Sequence, residues 1–461
     1  APLPPIIKGV NSCRVRPPLL VRRLLPAVNP FLALTVLVAA SLLVAATVFY
    51  PYDTLMCWLP WAEASGGWRP WAIYAKEPSE YYPVCNYPPF FLYILTLIER
   101  LRLILNAPSG GLLAVCLVKL FVIAAHAAGV LVVYFGMCRP FGGKTARRAA
   151  LLYALSLPLF VNGAMWGQAD TVLLLAMVSA LVALAADRPL RAGALMGWAL
   201  SIKLQAVCIA PALLVYTWRR FGWRATLLGT AAGLGVLALI TAPFVLAGEG
   251  EKVLAAYKDA AGFYHLRSLN AWNLWNLAND IDIRWRGVPG SIANQDDRLA
   301  FGPLTYQHVG ILMFAAYLLL VLVVLWRRAR RETLLDAAAL SAVGFFILCT
   351  QMHERYIVPG AALLTLTGAL SLTRLTVAAG FGLTAFLNQV LVLYSNYLPY
   401  AKRPTNFVDW CWGFFSMPMT VLNLALFAAA TTAYLWPGEG EEAQAPRPPA
   451  PPTPSAPPSP R

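Results

Sequence analysis

The chain has 461 residues, of which 59% are hydrophobic and only 12% charged, with a formal net charge of +15. A soluble globular domain carries about 25% charged residues, and about 20 consecutive apolar residues cross a bilayer. This composition therefore excludes a soluble protein and reads as an all-α, polytopic helical membrane protein, in which a positive balance concerns membrane sidedness before nucleic acid.

In chain order, residues 1–30 form a basic segment with Arg14, Arg16, Arg22 and Arg23. The apolar run 31–50 that follows is longer than a secretory h-region and lacks a small-residue cleavage site, so it reads as a first transmembrane helix rather than a signal peptide. Residues 50–111 read as one long external loop. Within it, 88–105 has only about eleven apolar residues before Glu99, Arg100 and Arg102, too few to cross. That segment is expected as an amphipathic helix in the outer interface.

Later basic clusters lie at 139–148, 187–191, 218–224 and 326–331, with Arg374 in another short loop. Cytoplasmic loops collect Lys and Arg. Placing all of these inside predicts helices near 31–50, 112–137, 147–163, 170–186, 191–202, 205–218, 225–246, 309–326, 334–351, 356–373, 375–395 and 413–436. That is about twelve crossings with both termini cytoplasmic and a second external loop over 247–308. The inner loops then carry 21 Lys and Arg against 6 Asp and Glu, while the rest of the chain carries 15 of each. The whole positive excess lies on one face, so topology explains it and no nucleic-acid partner is expected. Residues 31–436 read as the transmembrane domain and 437–461, rich in proline, as a disordered cytoplasmic tail.

Polar residues that are hard to explain as loop filler fall into six groups: Asp53; Asn86 and Tyr87 in NYPP; Trp166, Gln168 and Asp170 in WGQAD; Lys203 and Gln205 at a break between two short helices; Asn270, Trp272 and Asn273 in NAWNLW; and His353, Glu354 and Arg355 in HERY. Each has an ordinary explanation, such as a solvated carboxylate, a capping Asp, a snorkelling Lys or an interfacial Trp. Yet all six come to the outer ends of helices once the basic loops set the orientation. Ionisable groups at membrane depth mark functional paths, so the set predicts an outward-facing polar cavity. Among the eight cysteines no CxxC spacing occurs, and Cys57 with Cys85 in the first external loop could bond or stay apart. No His or Cys spacing suggests a metal site. The external carboxylates leave room for a hard divalent cation, which nothing in the sequence requires, and no cofactor is predicted.

Such a constellation suits sugar transfer from a lipid phosphate at the outer leaflet. A carboxylate deprotonates the acceptor hydroxyl, while Arg, Lys and His hold the departing phosphate. One base with a phosphate clamp fits a single inverting displacement, whereas retention would want two paired carboxylates. An Asp after the first helix, a Trp-rich stretch, NYPP, WGQAD, a Lys in a broken helix pair, NAWNLW and HERY, in this order from about 30 to 400, resemble the GT-C glycosyltransferases. The likeness is to the bacterial GPI-mannosyltransferase-like proteins and, more distantly, to the glucosyltransferases of the endoplasmic reticulum. The resemblance implies a polyprenyl-phosphate-linked sugar donor, a glycan or lipid-linked acceptor, an inverting mechanism and a catalytic Asp at position 53. It also implies a bacterial plasma membrane more readily than the endoplasmic reticulum. His353, Glu354, Arg355, Lys203 and Gln205 are expected on the donor. Asn86, Tyr87, Trp166, Gln168, Asp170, Asn270, Trp272 and Asn273 are expected on the acceptor or sugar. Where the family often has an acid in DYPP, this chain has Asn86. The alternative reading is a transporter or flippase, disfavoured because the unexplained polarity is one-sided.

Overall fold

The computed structural model describes residues 29–47, 52–76, 84–261, 264–397 and 405–436. The basic segment over 1–28 and the tail over 437–461 lie outside the described residues. The longer helices, numbered in chain order, are α1 (Pro30–Thr47), α2 (Pro89–Ile104), α3 (Leu112–Phe141), α4 (Gly143–Ala154), α5 (Asp170–Ala185), α6 (Pro189–Ile202), α7 (Ala210–Phe221), α8 (Trp223–Leu246), α9 (Gly250–Lys258), α10 (Leu274–Arg286), α11 (Tyr306–Arg328), α12 (Arg331–Leu348), α13 (Val358–Gly368), α14 (Leu372–Tyr397) and α15 (Thr405–Leu435). A helix lies within each segment where the sequence predicts one, but the segments near 147–163 and 205–218 are broken. The first breaks between α4 and Leu157–Trp166, and the second between the 3-10 turn Leu204–Cys208 and α7; α2 covers the segment expected at the interface.

The helices sort into two layers by burial. In α5 every residue but Leu175 and Ser179 is buried, and all of α13 is buried. α12 is nearly as dry, and α3 and α6 pack around α5. The outer layer presents apolar side chains outward, such as Leu227 and Leu239 on α8, Leu312 and Leu319 on α11, and Phe414 and Val421 on α15. So much exposed apolar surface is stable against lipid, not against water. α3, α8, α11, α14 and α15 are each long and apolar enough to cross a membrane alone. A sixth crossing results if α4 and the segment Leu157–Trp166, bent by 47°, count as one.

α4, α7 and α13 are shorter than the sequence pattern suggested. α13 has 11 residues, roughly 16 Å of rise, half of what a bilayer needs. A broken span is tolerated because its neighbours, and not lipid, surround the freed backbone. α6 and α8 cross at their glycines: a Cβ on Gly193 or Gly197 would lie 2.0 Å from the carbonyl oxygen of Gly229 or Gly233. Small residues let membrane helices approach this closely, and dispersion contacts then hold them.

Strands are few and confined to the loops. β1 (Ser268–Leu269) runs parallel to β4 (Met352–His353), pairing Leu269 with His353. A second pair, β2 (Leu299–Phe301) and β3 (Leu304–Thr305), is antiparallel and leads into α11. The first pair ties the segment between α9 and α10 to the HERY turn.

Candidate active site

Two π-helical turns shape the site. One, Thr54–Trp58, follows Asp53 directly; the other, Val161–Trp166, ends on Gly167. Such turns insert an extra residue and re-aim side chains, often at functional sites. Gly167 has φ +75°, a left-handed conformation that a Cβ disfavours. This reversal lets both Trp166 and Gln168 reach the same carboxylate. Trp166 Nε1 donates to Asp53 Oδ2 at 2.9 Å, and Gln168 Nε2 donates to that oxygen too. Oδ1 of Asp53 takes no bond among the described residues.

Asp170 starts α5 and is fully buried. Its Oδ1 accepts from Lys203 Nζ at 2.6 Å, and Oδ2 lies 3.9 Å from Arg355 Nε. Lys203 stands in extended backbone between α6 and the 3-10 turn Leu204–Cys208, which turns its ammonium toward Asp170. That ammonium is also 4.4 Å from the ring centre of Tyr356. Gln205 Nε2 donates to the carbonyl of Tyr356 at 2.8 Å, fixing the turn to the HERY segment.

HERY starts with His353 at the end of β4 and runs into a 3-10 turn, Glu354–Ile357, that leads to α13. Arg355 donates to Glu354 Oε1 at 3.1 Å and sits 5.6 Å from the Trp166 ring. His353 Nδ1 is 3.7 Å from Glu354 Oε2, and the ring packs edge-on to Tyr264. Burial, and then the charge of Arg355, holds the imidazole of His353 below its ordinary pKa. Burial alone would raise Glu354, but the neighbouring His353 and the charge of Arg355 more than offset it and leave the carboxyl lowered. At neutral pH the turn therefore holds a neutral His, a carboxylate and a guanidinium.

Two cavities meet at Asp53, Tyr264 and Arg355. The larger, about 310 Å³, is lined also by Trp58, Tyr87, Lys203 and Tyr356 and by the apolar Val84, Val207, Ile311 and Phe345. The smaller, about 170 Å³, adds Tyr52, Trp166, Asn270, His353 and Glu354.

Asn86, Tyr87, Lys203 and Gln205 line the larger cavity, and Trp166, Asn270, His353 and Glu354 the smaller. Gln168 and Asp170 line neither; both are fully buried behind the wall and hold groups that do. Trp272 and Asn273 stand apart. Trp272 packs against Trp412, while Asn273 caps α10 and donates to the carbonyls of Phe346 and Cys349. Cys57 and Cys85 are buried free thiols, and burial pushes each up to about 12. Among the described residues no group of three His, Cys, Asp or Glu could hold a metal ion.

Some lining and supporting residues escape the sequence pattern. Tyr264 carries no signal, and Tyr356 is signalled only by its place in the HERY motif. Asp296 reads as an ordinary loop acid, yet it is buried and its Oδ2 accepts from Gln351 Nε2 at 2.7 Å and Thr350 Oγ1 at 3.1 Å.

The profile of glycosyltransferase family 87 matches residues 86–350 of this chain, more than half of it. The chain belongs to glycosyltransferase family 87. This family 87 protein is thus a glycosyltransferase and an integral membrane protein, which decides for a transferase over a carrier. Asp53 and the HERY turn lie outside the matched residues. No curated protein matches the chain. Among solved structures it is similar to ArnT from Cupriavidus metallidurans bound to undecaprenyl phosphate, at 16% identity with a TM-score of 0.50, covering 87% of this chain and 76% of that one. This likeness gives the family 87 protein the GT-C fold. Two structures of the Archaeoglobus fulgidus oligosaccharyltransferase align more loosely. The apo form, and the complex with an inhibitory peptide and a dolichol-phosphate, each show 14% identity and a TM-score of 0.41, covering 86% of this chain and 56% of theirs.

Proposed function

We propose that this protein transfers a sugar, mannose in the first instance, from a polyprenyl-phosphate donor to a hydroxyl acceptor at the external face of the membrane, by a single inverting displacement. The observation that carries the reading is Asp53 at the junction of the two cavities, with Lys203 and Arg355 lining the larger beside it. Asp53 is the base that takes the acceptor proton. Lys203 and Arg355, whose side chains are only 12% and 13% exposed, stabilise the phosphate as it leaves by charge-assisted hydrogen bonds. The apolar wall of Val84, Val207, Ile311 and Phe345 suits the first isoprene units of the lipid. The two bonds from Trp166 and Gln168 fix the carboxylate, so that its orientation is set before substrate binds. The solved relative bound to undecaprenyl phosphate is in keeping with a lipid phosphate donor.

In this reading residues 31–436 are one catalytic domain in a bacterial plasma membrane, both termini are cytoplasmic and both cavities open outward. The test is transfer by the purified protein in lipid. Label is expected to move from mannosyl-polyprenyl phosphate to acceptor, and not from a nucleotide-linked mannose. Transfer from the glucosyl lipid alone would reassign the sugar, and transfer only from the nucleotide donor would remove the lipid-phosphate reading.

A further inference from the structure

The two cavities share Asp53, Arg355 and Tyr264, but their remaining charged walls differ. Among the described residues, the larger adds Lys203 and no further acid; the smaller adds Glu354 and no further base. Its imidazole, His353, is neutral at pH 7, because burial and Arg355 lower it. In the smaller cavity two carboxylates, Asp53 and Glu354, thus face one guanidinium. Arg355 is already engaged by Glu354 at 3.1 Å and approaches Asp170 at 3.9 Å. The larger cavity has two cations to one lining carboxylate, and Asp170 behind the wall offsets one of these. An anion is therefore disfavoured on the small side and accepted on the large side.

The small cavity is also built for hydrogen bonds. His353 Nε2 is buried without a partner among the described residues. A buried polar nitrogen left so costs free energy that a ligand hydroxyl would recover. Asn270, at φ +61°, forms a bridge with His353 that sets this wall, and its own carbonyl is held by Asn388 Nδ2 at 2.9 Å. Tyr52, 58% exposed, lies at the rim.

We infer that the small cavity is the acceptor site and selects an uncharged polyhydroxyl group, a neutral sugar ring or polyol whose hydroxyl meets Asp53, while rejecting acceptors that bear a phosphate near that hydroxyl. The inference rests on the transferase reading and narrows the acceptor class. His353 Nε2 and Glu354 bind ring hydroxyls; Asp53 takes the proton of the one that attacks.

The test measures binding, so it does not need turnover. Radiolabelled methyl α-mannoside, mannose 6-phosphate and undecaprenyl phosphate are each titrated against the full chain in lipid nanodiscs. The neutral glycoside is expected to bind at least about tenfold more tightly than the sugar phosphate, the scale of one like-charge repulsion at this range. Glu354→Gln should compress that ratio to below about threefold. Lys203→Gln should leave the ratio unchanged while weakening undecaprenyl phosphate about tenfold. Equal or tighter binding of mannose 6-phosphate overturns the inference, as does failure of methyl mannoside to bind. A ratio that Glu354→Gln does not alter also overturns it; if that variant fails to fold, the wild-type ratio decides. Undecaprenyl phosphate binding that ignores Lys203→Gln counts against the donor reading alone, so the two failures are distinguishable.

Discussion

Asp170 illustrates how the site's charges depend on one another. It touches neither cavity, yet Lys203 and Arg355 both approach it. Removing one member of a buried pair leaves the other charge without compensation, which costs about 3–5 kcal/mol, whereas replacing both by apolar groups is often neutral. Asp170→Asn should therefore lower stability by about 3 kcal/mol, measured by thermal unfolding in detergent. Adding Lys203→Met should restore most of the loss while leaving donor binding weak. His353 gives a pH dependence of definite sign. Its folded-state pKa is lowered, so the unfolded chain takes up its proton first, near the ordinary value of about 6.5, and stability is lost as pH falls from there. The wild type should lose stability relative to His353→Gln between pH 7 and 5. The lowered Glu354 acts in the same direction only below about pH 4.5, its ordinary value, so it does not confuse that window. Residue chemistry was partly legible in the sequence: Asp53, Lys203 and Arg355 stand out because charge is rare here. Tyr264 and Asp296 were not, since a tyrosine or an acid in a polar loop is ordinary until the loop folds over the site.

At the scale of elements, the HERY turn is held in place from the segments that flank α10. Asp296 binds the side chains of Thr350 and Gln351, and the backbone N–H of Gln351 donates to Leu266 at 3.0 Å. Gln351 keeps φ +61°, a conformation unfavourable for a side-chain-bearing residue and sustained only by its surroundings. Asp296→Ala should slow transfer by roughly tenfold to a hundredfold through misplacement of Arg355. The helix content by circular dichroism should stay unchanged, and a wild-type rate would make this tether purely structural. The α6–α8 crossing has no such tolerance. Gly197→Val drives a side chain into the backbone of Gly233 and should destabilise the fold by at least about 1–3 kcal/mol. Helix positions were legible because apolar runs and basic loops alternate. The π turns beside Asp53 and at Trp166, and the short α13, were not, because hydropathy reports length of greasy sequence and not where a neighbouring helix lets the backbone break.

For the whole molecule, the expected placement of the positive charge on one face of the membrane can be checked directly. On a cysteine-free background, Trp285→Cys, 84% exposed on α10, should react with an impermeant maleimide in intact cells. Arg327→Cys near the end of α11 should react only after lysis; the reverse pattern would invert the orientation. Fold class followed from composition, and family membership agrees with the order of motifs. How the cavity divides in two was not readable, because it depends on which walls three distant segments share. The central claim is that Asp53 is the catalytic base, and the most direct measurement is the turnover number of Asp53→Asn with mannosyl-polyprenyl phosphate. The account predicts a fall of about 10²–10⁴-fold, with undecaprenyl phosphate affinity and thermal stability close to wild type. A variant that transfers within a few-fold of the wild-type rate would contradict it.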